Sequence, residues 1–137
     1  MRKAIPYCAA CAMLAAACKR ETPEMAAAEL CDEIAELAAY METHPLSDTM
    51  TVGQVQQMRE AIREQVEEIR EAAGEVQAAR VRALEQANER LEAKVDRLSP
   101  DLPVGAAADS IRPEVDAVAA ARASLNTDVQ CVVRAGQ

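Results

Sequence analysis

Five cysteines, one histidine and 23 acidic residues are the side chains through which this chain could do chemistry. Cys8 and Cys11 form a C-x-x-C, the spacing of a redox dithiol. They lie inside an apolar run from Ala4 to Ala17, and no βαβ pattern surrounds them as a thioredoxin-like site requires. Covalent haem needs a histidine after the second cysteine, and Cys11 is followed by Ala12. Cys31 and Cys131 stand near the two ends of the remaining chain and suit a disulfide. Closing a loop of about 100 residues would stabilise the fold by ~4–5 kcal/mol in the chain-entropy model. The alternative is two independent buried thiols. Glu60, Glu64, Glu67, Glu68, Glu71 and Glu75 offer clustered oxygens of the kind hard cations take. Arg59, Arg63 and Arg70 interleave with them, with Glu60/Arg63 and Glu67/Arg70 at i, i+3, which describes a solvated helix face. His44 sits in Glu42-Thr43-His44-Pro45 and reads as a turn residue without a second ligand at metal spacing. A di-iron bundle needs Glu-x-x-His on two helices, which one histidine cannot supply. No activated nucleophile and no glycine-rich phosphate loop is present. The expectation is no catalytic residue, no metal, no cofactor and no enzyme activity.

The opening residues carry a different kind of chemistry. Arg2 and Lys3 precede the short apolar run, which ends in Leu14-Ala15-Ala16-Ala17-Cys18. A basic start, 7–15 apolar residues and small residues before a cut describe an export signal. The run is too short for a bilayer span, which needs about 20 residues, and it contains Pro6. With a cysteine at the cut, residues 1–19 resemble the signal of a bacterial lipoprotein. The resemblance implies that residues 1–17 are removed and that Cys18 is lipidated as the new N-terminus. It also implies that Lys19, in second place, permits passage to the outer membrane of a Gram-negative envelope. The lipoprotein pattern usually has Leu three before the cysteine, where this chain has Ala15. Ala15-x-Ala17 also suits ordinary signal peptidase, which would leave Cys18 a free thiol.

Residues 18–137 are enough for one domain. Without Arg2 and Lys3 they hold 13 basic and 23 acidic residues, against a net charge of −8 for the whole chain. That excess excludes a nucleic-acid partner and adsorption to anionic lipid by charge. There is no Phe and no Trp, and Tyr40 is the one tyrosine after the apolar run. Alanine-rich faces make good helices and thin cores. They lack the aromatic walls of small-molecule pockets.

The elements that position these groups are helical. Thr22-Pro23-Glu24 is an N-cap, a first-turn proline and a first-turn acid. Leu30, Ile34, Leu37 and Met41 then mark one face, with Cys31 beside it. Glu42 to Met50 reads as a loop. Thr51-Val52-Gly53-Gln54 is a capping box. It opens a long helix whose apolar residues run Val55, Met58, Ile62, Val66, Ile69, Ala73 and Val76. The stripe resumes one residue out of phase at Leu84, Leu91, Val95 and Leu98, with Arg80 and Asn88 at seam positions. That slip reads as the drift of a straight 3.6-residue helix about 70 Å long, bent at Gly74. Ser99-Pro100, Pro103 and Gly105 end it. A last helix starts near Asp109-Ser110, with Pro113 in its first turn and a stripe of Ile111, Val115, Val118, Leu125, Val129 and Val132, broken by Arg122. Its tail from Asn126 to Cys131, if extended, reaches ~20 Å back toward Cys31.

The fold class is therefore all-α, an elongated antiparallel three-helix bundle with one long central helix. The domains are a signal peptide over 1–17 and a single bundle over 18–137. Helices of unequal length would leave part of the long apolar stripe uncovered as an interaction surface. The functional expectation is a lipid-anchored, non-enzymatic envelope protein, a structural or protein-interaction module. Its partners would be the membrane, through the lipid on Cys18, and a protein or a second copy. The alternative is a cation- or small-ligand-binding protein using the acidic face of the long helix. The part after the signal also resembles small exported α-helical bacterial proteins of uncharacterised activity with one cysteine near each end.

Overall fold

A computed structural model describes residues 22–131, and every regular element among them is a helix. Helix α1 spans Pro23–Thr43. The Thr22 hydroxyl accepts the Met25 N–H at 3.3 Å, satisfying one of the amides left unpaired at a helix start. The capping box forms as well. The Gln54 N–H donates to Thr51 Oγ1 at 3.3 Å, and the Thr51 N–H donates to Gln54 Oε1 at 2.9 Å.

The 70 Å central helix does not form. Within the helical segment Val52–Val95, Gly74 takes φ 55° and ψ −164°, outside any helical region. The chain doubles back there. Arg59 reaches Asp96 at 3.5 Å, and Arg63 and Arg70 line one cleft with Glu85 and Glu92. The segment is two antiparallel helices, α2 (52–73) and α3 (75–95). Only glycine tolerates that backbone without penalty. The out-of-phase stripe is therefore not the drift of a straight helix; it is the phase break of a hairpin. Burial favours this outcome. A straight helix would leave half its stripe in water, whereas folding back buries Ile62 and Ile69 of α2 with Leu84 and Leu91 of α3. The uncovered stripe expected of unequal helices is accordingly absent. Among the described residues, the large apolar side chains left exposed are Met25 and Val104.

Helix α4 spans Ala106–Asp128, three residues longer at its start than the sequence suggests. Pro113 consequently lies two turns inside the helix rather than in its first turn. Gly105 caps the start at φ 86° without a side-chain bond, and its N–H donates to the Met50 carbonyl at 3.0 Å. Four helices, not the expected three, thus share one core, each about 32 Å long. Leu30, Ile34 and Leu37 enter it from α1, and Ile111, Val118 and Leu125 from α4. Met41, Val115 and Val129 are half-buried against it. Val132, the last residue of the expected stripe, lies outside the described residues.

Asn88 is the one buried polar side chain among those described, 6% exposed. Its Nδ2 donates to Glu92 Oε1 at 2.7 Å, while its Oδ1 has no partner. Arg80, the other polar seam residue, stays exposed. Its Nη1 donates to the Asp128 carbonyl at 2.9 Å and so caps the end of α4.

Candidate functional site

The pair singled out by its chemistry meets. Cys31 and Cys131 are disulfide-bonded, with Cα atoms 5.5 Å apart. The extended reach expected of 126–131 is not how they meet. Helix α4 continues to Asp128 and closes with a Schellman turn. In that turn the Cys131 N–H donates to the Asn126 carbonyl and the Gln130 N–H to the Thr127 carbonyl, each at 3.1 Å. Gln130 takes the left-handed conformation at φ 58°, a position usually given to glycine. The turn swings Cys131 back against α1. Both cysteines are half-buried and border a groove of about 500 Å³. Exposed Ala27, Ala28 and Ala35 line it together with Glu24, Asp32 and Gln130. Its lining mixes apolar and charged side chains.

The carboxylates gather differently from the expected acidic face. Glu68 of α2 faces Glu33 and Glu36 of α1, and one oxygen from each lies within 4.8 Å of the others. Glu29 and Glu71 line the same cleft as Glu33 and Glu68. Such a set can take a hard cation through oxygen ligands. Glu33 and Glu36 escaped the sequence reading because their partner lies on another helix; the only local signal was their i, i+3 spacing on α1. Partial burial pushes the Glu33 carboxyl above the usual range, and the nearby Glu36, Glu68, Glu29 and Asp32 charges add to it. The folded state therefore holds this proton more tightly than the unfolded chain, and ionised Glu33 works against folding near neutral pH. A Glu33→Gln variant is expected to melt above the parent at neutral pH and low salt. The gap should close as the pH falls below about 4, where the parent carboxyl is protonated too. A melting series in which the gap persists below that pH counts against a Glu33 carboxyl raised by burial and its acidic neighbours.

Elsewhere the outer face of α2 is solvated, as its interleaved charges suggest. Arg63 pairs with Glu60 at 2.8 Å and with Glu67 at 3.7 Å. Among the described residues Glu67 thus pairs with Arg63 rather than Arg70. These exposed pairs contribute a few tenths of a kcal/mol each.

His44 stands at the end of α1. It is the C-cap of α1, its ring stacks on Tyr40 at 4.4 Å, and Nδ1 lies 3.0 Å from the Tyr40 carbonyl. The Ser47 hydroxyl at the same corner engages Thr49 at 2.8 Å rather than the imidazole. The cavity there is open, about 530 Å³, and holds no aligned base and nucleophile.

No family model, no curated protein and no solved structure matches this chain. Residues 1–17, expected to be a signal, the Cys8-x-x-Cys11 pair and Cys18 lie outside the described residues. No helix among the described residues is long and apolar enough to cross a membrane.

Proposed function

We propose that this is a lipid-anchored, non-enzymatic envelope protein that works as a structural or protein-interaction module. The observation that carries the reading is the order of residues 2–18: two cations, a short apolar run, three alanines and Cys18. The Cys31–Cys131 bridge supports it, because structural disulfides persist in oxidising compartments outside the cytoplasm. The open groove beside the bridge and the place of His44 at the end of α1 support a binding rather than a catalytic protein. The anchoring test is fractionation. The parent chain should partition with membranes and take up labelled fatty acid. A Cys18→Ser variant should lose the label and move to the soluble fraction. A variant that stays wholly with membranes, or a native protein that still begins at Met1 in the cytosol, overturns the reading.

The carboxylate trio favours a second reading, in which the protein binds a divalent cation between α1 and α2. The melting comparison of the parent and Glu33→Gln, repeated with calcium, separates the two readings. A ligand bound only by the folded state raises the melting temperature, by mass action, in the parent alone.

A further inference from the structure

We propose that this chain exchanges its halves with a second copy of itself, hinging at Gly74, and that the Cys31–Cys131 bridge locks whichever arrangement is present. The inference is independent of the lipid anchor.

The reversal between α2 and α3 has a hinge one residue long. Its residue sits at φ 55°, and a Cβ built there would meet nothing within 4 Å. Short constrained hinges are where chains exchange elements, because the same contacts can form between two molecules. The flanking residues add to this. Glu71-Ala72-Ala73 and Glu75 to Arg80 contain no proline, asparagine or second glycine to hold a turn. Nothing in the local sequence except Gly74 favours reversal over continuation.

The contacts that cross the hinge can all be remade between copies. Helices α1 and α2 lie before residue 74, and α3 and α4 after it. Arg59 with Asp96, the Gly105 N–H with the Met50 carbonyl, and Cys31 with Cys131 each join one half to the other. In an exchanged dimer each half packs on the complementary half of the partner. Only the backbone at residue 74 changes. Cys31 then faces the partner's Cys131, so the second copy completes the disulfide site.

The bridge sets when exchange can occur. Closed within one chain, it ties the two halves together across the hinge. Open, it leaves them joined only by residue 74 and by packing. Each bridge forms when two thiols lose two protons and two electrons to a disulfide oxidant, such as oxidised glutathione, which leaves as two thiols. Two monomers and one exchanged dimer hold the same number of disulfides. A catalytic thiolate can therefore interconvert them without net oxidation.

The experiment uses the full chain in an equal mixture of isotope-labelled and unlabelled protein. The mixture is reduced, held at millimolar concentration in mild detergent, and reoxidised with glutathione. The Cys31–Cys131 peptides are then read by mass spectrometry without reduction. Exchange predicts a dimer fraction in which about half of these linkages join a labelled to an unlabelled chain. The monomer fraction should contain none. Because exchange relieves the glycine-only backbone of residue 74 (φ 55°, ψ −164°) in both chains of the dimer, Gly74→Ala should raise the dimer share at least about tenfold at the same concentration. The parent result stands alone if that variant aggregates. Linkages confined to one isotope at millimolar concentration overturn the proposal. So do Cys31–Cys31 and Cys131–Cys131 linkages as abundant as the hybrids, which would mean scrambling of unfolded chains.

Discussion

A Cys31→Ser/Cys131→Ser chain should lose about 4–5 kcal/mol of stability relative to the oxidised parent. The bridge closes a loop of 100 residues, and in the chain-entropy model a loop of that length removes about 4.7 kcal/mol of freedom from the unfolded state. Small domains have only about 5–15 kcal/mol in total. The core here makes the loss more severe. Alanine takes several interior positions, among them Ala73, Ala87, Ala107 and Ala108, and each buries far less area than a leucine would. Urea unfolding of the oxidised parent and the double variant measures the difference. With slopes of about 1–1.5 kcal/mol per molar for a chain of this size, the midpoint should fall by roughly 3–5 M. Chemical reduction of the parent should reproduce the shift. A fall below about 1 kcal/mol would mean that the unfolded chain is already compact, or that packing of α4 on α1 holds the ends together unaided.

The second large effect is expected at Gly105. Its φ of 86° belongs to the left-handed side, where alanine costs about 1–2 kcal/mol. Geometry then adds to conformation. A Cβ at this position would collide with the carbonyl oxygen of Asp48 and crowd that residue's backbone. Backbone cannot step aside as a flexible side chain does, and the same strand of chain carries the Met50 carbonyl that accepts the Gly105 N–H. Gly105→Ala must therefore separate the 48–50 loop from the start of α4 and lose that hydrogen bond. The combined cost should be about 3 kcal/mol or more, among the larger values for a single substitution. Gly53→Ala is the matched control. Its Cβ would come no nearer than 3.9 Å to Thr51 Oγ1, and its position inside a helix favours alanine. A denaturation series in which the two variants behave alike would show that the Asp48 contact is not limiting.

Helix identity was largely readable from the chain, because caps and apolar period are local. Thr22 and Thr51 fall where their hydroxyls accept amides three residues on, so the starts of α1 and α2 follow from spacing. Leu30, Ile34 and Leu37, with Val55, Ile62 and Ile69, recur at helical intervals and all are buried. The start of α4 was less legible. Its cap is Gly105, whose role depends on a loop 55 or more residues earlier and carries no side-chain signal. The reversal at Gly74 was the larger miss. One glycine between two strong helix formers is compatible with a bend, a straight helix or a hairpin, because local propensity is nearly the same for all three. The choice depends on how much apolar surface each arrangement buries, and that quantity belongs to the assembled molecule. The acidic trio follows the same rule, since Glu68 meets Glu33 and Glu36 only after α2 has packed on α1.

By itself, then, the sequence determined an all-helical chain, the starts of the first two helices, the stripes that form the core and a cysteine at each end of the folded part. These are consequences of hydrogen bonding and periodicity over a few residues. The tertiary structure alone decided that the central segment folds back at Gly74, that three carboxylates converge, and that a Schellman turn at Gln130 delivers Cys131 to Cys31. Each of these depends on contacts between residues far apart in the chain, where burial and chain reversal outweigh any local preference.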